Sequence, residues 1–74
     1  MNTNILNYKN KEYLLSTEQF NDTVYETVVH LIEDGYINEN VIYSFRTIGN
    51  DAAYNEKVVI EYLASRNENC DNVI

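Results

Sequence analysis

The chain has 74 residues, enough for one domain, and its twelve carboxylates outnumber its five lysines and arginines, giving a formal net charge of −7. A charge of this size on so small a protein repels nucleic acid and anionic membranes and attracts basic surfaces. The hydrophobic fraction of 45% indicates a folded domain and not a disordered segment.

Cysteine usage and the N-terminus suggest where the protein works. Cys70 is the only cysteine, which excludes a disulfide framework and a cluster of thiol metal ligands. The N-terminus lacks the pattern of a signal peptide, and no apolar run approaches the roughly 20 residues that span a bilayer. We therefore expect one soluble domain, residues 1–74, in the cytoplasm.

The first predicted element is a β-hairpin over residues 5–15. Two apolar runs, Ile5 to Tyr8 and Tyr13 to Leu15, flank a polar stretch with Asn10 near the tip. Such a two-stranded ribbon is marginal alone and must pack on another element.

A long helix is predicted over residues 17–34. Ser16 and Gln19 have the spacing of a capping box, and Gly35 follows as a C-terminal stop. The apolar residues that recur at helical spacing are Phe20, Val24, Val28 and Leu31, with Ile32 beside them.

Two shorter helices complete the predicted fold. Residues 39–48 form a helix capped by Asn38, although their β-branched residues keep a strand as the alternative. Asp51 caps a third helix over residues 51–66, and residues 67–74 form a frayed polar tail. The predicted fold class is α+β and mainly helical, with the hairpin packed on about three helices.

Catalysis and metal binding have little support in the residues. His30 is the only histidine, and neither a nucleophile nor a glycine-rich loop accompanies it, so a surface histidine between Glu26 and Glu33 is the simpler interpretation. The carboxylates are spread along the chain and lack the spacing of a calcium loop. We expect no enzyme activity, no metal and no cofactor.

The carboxylates are concentrated in the middle of the chain. From Glu12 through Phe45 there are seven acids and no lysine or arginine. On the predicted long helix, Glu18, Asp22 and Glu26 follow one another at four-residue intervals and share one face, where neighbouring like charges are unfavourable. The candidate partner-binding residues are Glu18, Asp22, Glu26, Glu33, Asp34 and Glu39.

This predicted ladder of carboxylates suggests mimicry of a DNA phosphate backbone. Phosphates of one strand are roughly 7 Å apart, close to one helical turn. A merely acidic, solvated face is the simpler alternative. The seven tyrosines favour a contact surface, and some of them could form the seam of a homodimer.

The chain resembles the small acidic inhibitors that bacteriophages make against host DNA-handling proteins, above all the sliding-clamp inhibitors of staphylococcal phages. The resemblance lies in its length, the acidic stretch from Glu12 to Glu39, the tyrosines and the composition typical of AT-rich genomes. It implies a DNA mimic in the cytoplasm of a bacterial host that occupies the basic channel of the clamp and blocks its loading onto DNA.

Other partners fit the same acidic surface. They are a nucleoid protein, a restriction enzyme or CRISPR nuclease, or a transcription factor. The alternative from another class is a small helical regulator that docks through apolar contacts. Direct binding of nucleic acid or membrane is not expected, because both are anionic.

Overall fold

The computed structural model describes the backbone of residues 2–73 and the side chains of residues 2–66. It is an antiparallel sheet of four strands in the order β1-β2-β3-β4, followed by one helix. The elements are β1 Asn2–Tyr8, β2 Lys11–Gln19, β3 Val24–Glu33, β4 Tyr36–Ile48 and α1 Ala52–Val73. No helix in this described part is long and apolar enough to cross a membrane.

The predicted fold class is wrong, because residues 2–73 form a mainly β domain with one helix instead of about three. Residues 17–34, predicted as the long helix, form the end of β2, a loop and β3. Their valines, threonines and tyrosine favour the pleated surface of a sheet. The even spacing of Phe20, Val24 and Val28 also fits one face of a strand, but the residues that β3 buries are Thr27 and Val29.

Tight turns join the strands at one end of the sheet. Lys9 and Asn10 connect β1 to β2 with φ values of 48° and 66°, and Asp34 and Gly35 connect β3 to β4 with φ values of 52° and 81°. Positive φ at both central residues is the type I′ pattern, whose twist matches that of the flanking strands. An Asp-Gly pair is a strong hairpin signal, so Gly35 ends a turn and not a helix.

At the opposite end, residues 20–23 connect β2 to β3. The Asn21 side-chain oxygen accepts hydrogen bonds from the backbone nitrogens of Thr23 at 3.1 Å and Val24 at 2.9 Å. The Phe20 backbone nitrogen donates to the Val24 carbonyl at 2.8 Å. An asparagine side chain that accepts hydrogen bonds from backbone nitrogens in this way stabilises the loop.

The second predicted helix, residues 39–48, is also wrong, since this segment lies within β4. Its β-branched residues pair with β3, and the register shifts between Val29 and His30 and again between His30 and Ile32. Such irregularities let two neighbouring side chains lean toward one face. Here Ile42 and Tyr43 both pack against the core.

Helix α1 begins one residue after the predicted start at 51. The Asp51 carboxylate accepts a hydrogen bond from the Tyr54 backbone nitrogen at 3.2 Å, which is the predicted capping role. The helix continues through residues 67–73, for which the sequence predicted a frayed tail, and the side chains of that stretch lie outside the described residues.

The core lies between α1 and one face of the sheet. Val59 and Leu63 from the helix join four buried strand residues: Leu6, Tyr13, Leu15 and Val29. At the edge of this core the rings of Tyr43 and Tyr62 stack, with centroids 4.0 Å apart. The protein is therefore a two-layer domain with its apolar side chains buried on a single face of the sheet.

Buried polar groups lie in the same layer. The Thr17 and Thr27 hydroxyls share a hydrogen bond of 2.9 Å across β2 and β3. Asn55, on α1, is 2% exposed, and its side-chain oxygen has no partner among the described residues. A buried acceptor of this kind is costly unless a water satisfies it.

Leu14 and Leu15 are adjacent in β2 but point to opposite faces of the sheet, so replacing them should change the free energy of unfolding by different amounts. Leu15→Ala should lower the free energy of unfolding by about 2–5 kcal/mol, because Leu15 is 1% exposed in the core. Leu14→Ala removes the same atoms from the uncovered face and should cost clearly less. Urea denaturation measures both, and equal losses would contradict burial on one face only.

Tyr13 gives a pH-dependent contribution to stability. Burial raises the pKa of its hydroxyl above 10.0, with an opposing effect from Arg66 and a smaller raising effect from Tyr8. The folded state therefore holds the proton more tightly than the unfolded state. This stabilisation is complete below pH 10 and is lost as pH rises through the folded pKa. When the pH is raised from neutral to strongly alkaline, the free energy of unfolding should fall less for the Tyr13→Phe variant than for the parent. Urea denaturation at each pH measures this difference.

Candidate partner-binding site

Within the part of the chain that the structure describes, no element covers the face of the sheet opposite α1, and we call it the open face. Side chains alternate along a strand, so the neighbours of the buried residues in β1, β2 and β3 point to this face. The strand register then aligns these side chains in rows that run across the sheet. Two rows differ sharply in chemistry.

The apolar row consists of Ile5, Leu14, His30 and Val41. The register pairs Ile5 with Leu14, Leu14 with His30, and His30 with Val41, so the row crosses all four strands. Ile5 is 56% exposed and Val41 is 55% exposed. An exposed apolar surface that crosses a sheet is typical of a contact site.

The acidic row consists of Glu18, Glu26 and Arg46. Glu18 and Glu26 are directly opposite on β2 and β3, and Glu26 is opposite Arg46 on β4. Arg46 Nε lies 3.4 Å from Glu26 Oε2, and its guanidinium lies 3.9 Å from the centre of the Phe20 ring. The arginine balances one of the two carboxylates, and Glu18 faces a like charge across the strands.

The six predicted carboxylates do not form one ladder, because the helix that would align them is absent. Glu18 and Glu26 lie in the acidic row, and Asp22 lies in the adjoining loop. The other three lie at the opposite end of the sheet. Glu33 lies seven positions beyond Glu26 along β3, a distance of about 24 Å at about 3.4 Å per residue.

The second group surrounds the turn between β3 and β4, and its three carboxylates are exposed. Glu33 accepts a hydrogen bond from the Asn38 side chain at 3.3 Å, Asp34 is in the turn itself, and Glu39 follows in β4. The neighbouring turn carries Lys9, which is followed by Lys11 at the start of β2. These cations partly balance the carboxylates at this end.

His30, interpreted from the sequence as a surface histidine between Glu26 and Glu33, lies on the open face. It lies in the middle of the apolar row, and its Nδ1 is buried without a hydrogen-bond partner among the described residues. A shallow depression of about 250 Å³ joins the two rows and is lined by Ser16, Glu18, Glu26, Val28 and His30. The signal for this placement is alternation along β3, where Thr27 and Val29 face the core and Val28 and His30 face the other way.

Two other features bear on possible ligands. Within the described residues, no group of three His, Cys, Asp or Glu side chains could hold a metal ion. A cleft of about 310 Å³ between the sheet and α1 is lined by Tyr13, Leu63, Lys11 and Arg66, among others. It offers two cations to an anionic group, and its other lining residues are apolar or amides.

The tyrosines divide between core and surface. Tyr13 is buried, and Tyr43 and Tyr62 stack against each other beside the core. Tyr36 is 79% exposed and Tyr54 is 52% exposed. The exposed pair lies on β4 and α1, so the tyrosines do not gather on the open face.

The paired carboxylates of the acidic row predict a stabilising substitution. Glu18→Lys should raise the free energy of unfolding by about 0.2–1 kcal/mol, because it replaces a like-charge cross-strand pair with an opposite-charge pair. Glu39→Lys changes the net charge equally, and the register shows no residue paired with Glu39. Urea denaturation at low salt should show a gain for the first variant that exceeds the gain for the second. An equal effect would contradict the direct pairing.

No protein-family model, curated protein or solved structure matches the chain. Its function is therefore inferred from its own charges, exposure and strand register.

Proposed function

We propose that the chain is a non-catalytic DNA mimic of phage type, which binds the DNA-binding surface of a host protein in the bacterial cytoplasm. The bacterial sliding clamp is the first candidate, with blocked loading onto DNA as the consequence. The observation that carries the proposal is the pair Glu18 and Glu26, two carboxylates held opposite each other on an uncovered face. Like charges in this position destabilise a sheet, so a basic partner would stabilise them.

The carboxylates at the loop end of the sheet support contact with a basic surface. Glu18 and Glu26 lie on the open face, and Asp22 lies in the adjoining loop. Glu33 is seven positions beyond Glu26 along β3, so strand alternation points it to the opposite face. The acidic row and this loop are therefore the part of the open face that would meet lysines and arginines of a partner.

The apolar row adds a contribution that salt does not screen. Carboxylates steer the approach of a basic partner, and the exposed side chains of Ile5 and Val41 are then removed from water. An apolar centre with a charged border is the usual arrangement of a protein interface. The open face as a whole is therefore the proposed contact surface.

A second function is favoured by the same apolar row. A small regulatory protein could dock on a nucleoid protein, a nuclease or a transcription factor mainly through Ile5, Leu14 and Val41. Its complex would tolerate high salt, because apolar contacts are not screened by ions. The dependence of affinity on salt separates the two functions.

Charge reversal in the acidic row tests the mimic. Glu18→Lys combined with Asp22→Lys should weaken binding to purified sliding clamp at least tenfold, about 1.4 kcal/mol, because two attractive charges become repulsive. Both positions are exposed, and the ion pair of Glu26 with Arg46 is kept. Surface-based binding assays at several salt concentrations, with DNA as competitor, measure the effect.

The matched control reverses two acids on the helix, Glu56→Lys combined with Glu61→Lys. It changes the net charge by the same amount but leaves the open face untouched. This control should bind much more tightly than the open-face variant. Equal losses would show that affinity follows net charge alone, and undiminished binding of the open-face variant would contradict the proposed surface.

A further inference from the structure

The two edges of the sheet are protected very differently. One edge strand, β4, carries Glu39 and Arg46, and its register against β3 is shifted. The other edge, β1, contains no charged residue, no proline and no irregularity over its seven paired positions. Charges and bulges are the usual means of preventing edge strands from pairing with another chain. β1 lacks all of them.

We propose that β1 pairs with β1 of a second copy, forming one continuous sheet of eight strands. The charge distribution favours a second copy of the chain as the partner and β1 as the edge strand that binds it. Two copies, each with a net charge of −7, repel each other wherever acidic surfaces meet. Of the four strands, β1 alone is uncharged, so contact along it places no carboxylate opposite another.

The sequence of β1 suits antiparallel pairing with itself about a two-fold axis at Ile5. In this register Ile5 meets Ile5 of the second copy, Thr3 meets Asn7, and Asn4 meets Leu6. Paired residues share a face of the sheet, so the exposed side chains of Thr3, Ile5 and Asn7 stay on the open face. The contact is isologous and closes at two copies.

The same register joins the two apolar rows end to end. Ile5 is the first member of the row in each copy, so the two rows become one line from Val41 to Val41 across eight strands. At about 4.8 Å per strand this line is about 34 Å long. Both helices lie on the opposite face, because the two-fold axis is perpendicular to the sheet. This dimer does not depend on the proposed DNA mimicry.

Engineered cysteines test the register directly. Each variant also carries Cys70→Ser, which removes the native thiol. Ile5→Cys should form a disulfide-linked dimer under mild oxidation, because paired Cα atoms lie about 4.5–5.5 Å apart. In the same register the two Asn7 residues are offset by about 14 Å along the strand, so Asn7→Cys should not cross-link. Non-reducing electrophoresis distinguishes them.

A charge pair tests the dimer without cross-linking. Thr3→Lys combined with Asn7→Lys places lysine opposite lysine twice and should give a monomer by light scattering. Thr3→Glu combined with Asn7→Lys places opposite charges together and should remain a dimer. Circular dichroism checks that both variants fold.

Several results would overturn the proposal. A parent protein that is monomeric up to millimolar concentration has no such interface. Equal association of the two charge variants, or cross-linking by Asn7→Cys as efficient as that by Ile5→Cys, would place the contact elsewhere. Loss of the dimer in both charge variants would reject the register centred on Ile5.

Discussion

Burial of a single face of the sheet beneath α1 organises the whole domain. Leu15 and Val29 are almost inaccessible because Val59 and Leu63 of α1 cover them. Among residues 2–73, no further helix or strand covers the second face. Leu14, next to Leu15 in β2, therefore lies on the open face, because neighbouring side chains in a strand point to opposite faces of the sheet.

The open face combines an apolar surface with an acidic one. Its centre is apolar. The acidic row lies beyond the intervening row of Ser16 and Val28, and in it Glu18 and Glu26 face each other with one arginine for the two carboxylates. Their charges remain accessible to solvent, so the cost to folding is modest. An accessible carboxylate near an apolar row can attract a basic side chain and then take part in a contact from which water is removed. This combination supports the open face as the proposed contact surface.

Parts of the fold could be predicted where the signal is local. The turn at Asn10 and the cap at Asp51 depend on residues close in sequence, and the structure has both features. The segment 17–34 could not be assigned by the same means, because its apolar spacing satisfies a helix and a strand alike. Asp34–Gly35 was the local signal that favoured the hairpin, and Gly35 was interpreted as a helix stop instead.

The net charge, the acidic stretch from Glu12 to Phe45 and the local chemistry of the turn and the cap can all be read from the amino-acid sequence. The fold was needed to show that Glu18 faces Glu26, that the six carboxylates divide between two ends of the sheet, and that His30 lies in an apolar row. Strand register accounts for this difference. Pairing between strands is set by side chains distant in sequence that pack together against α1, and a shift of one residue would exchange the two faces.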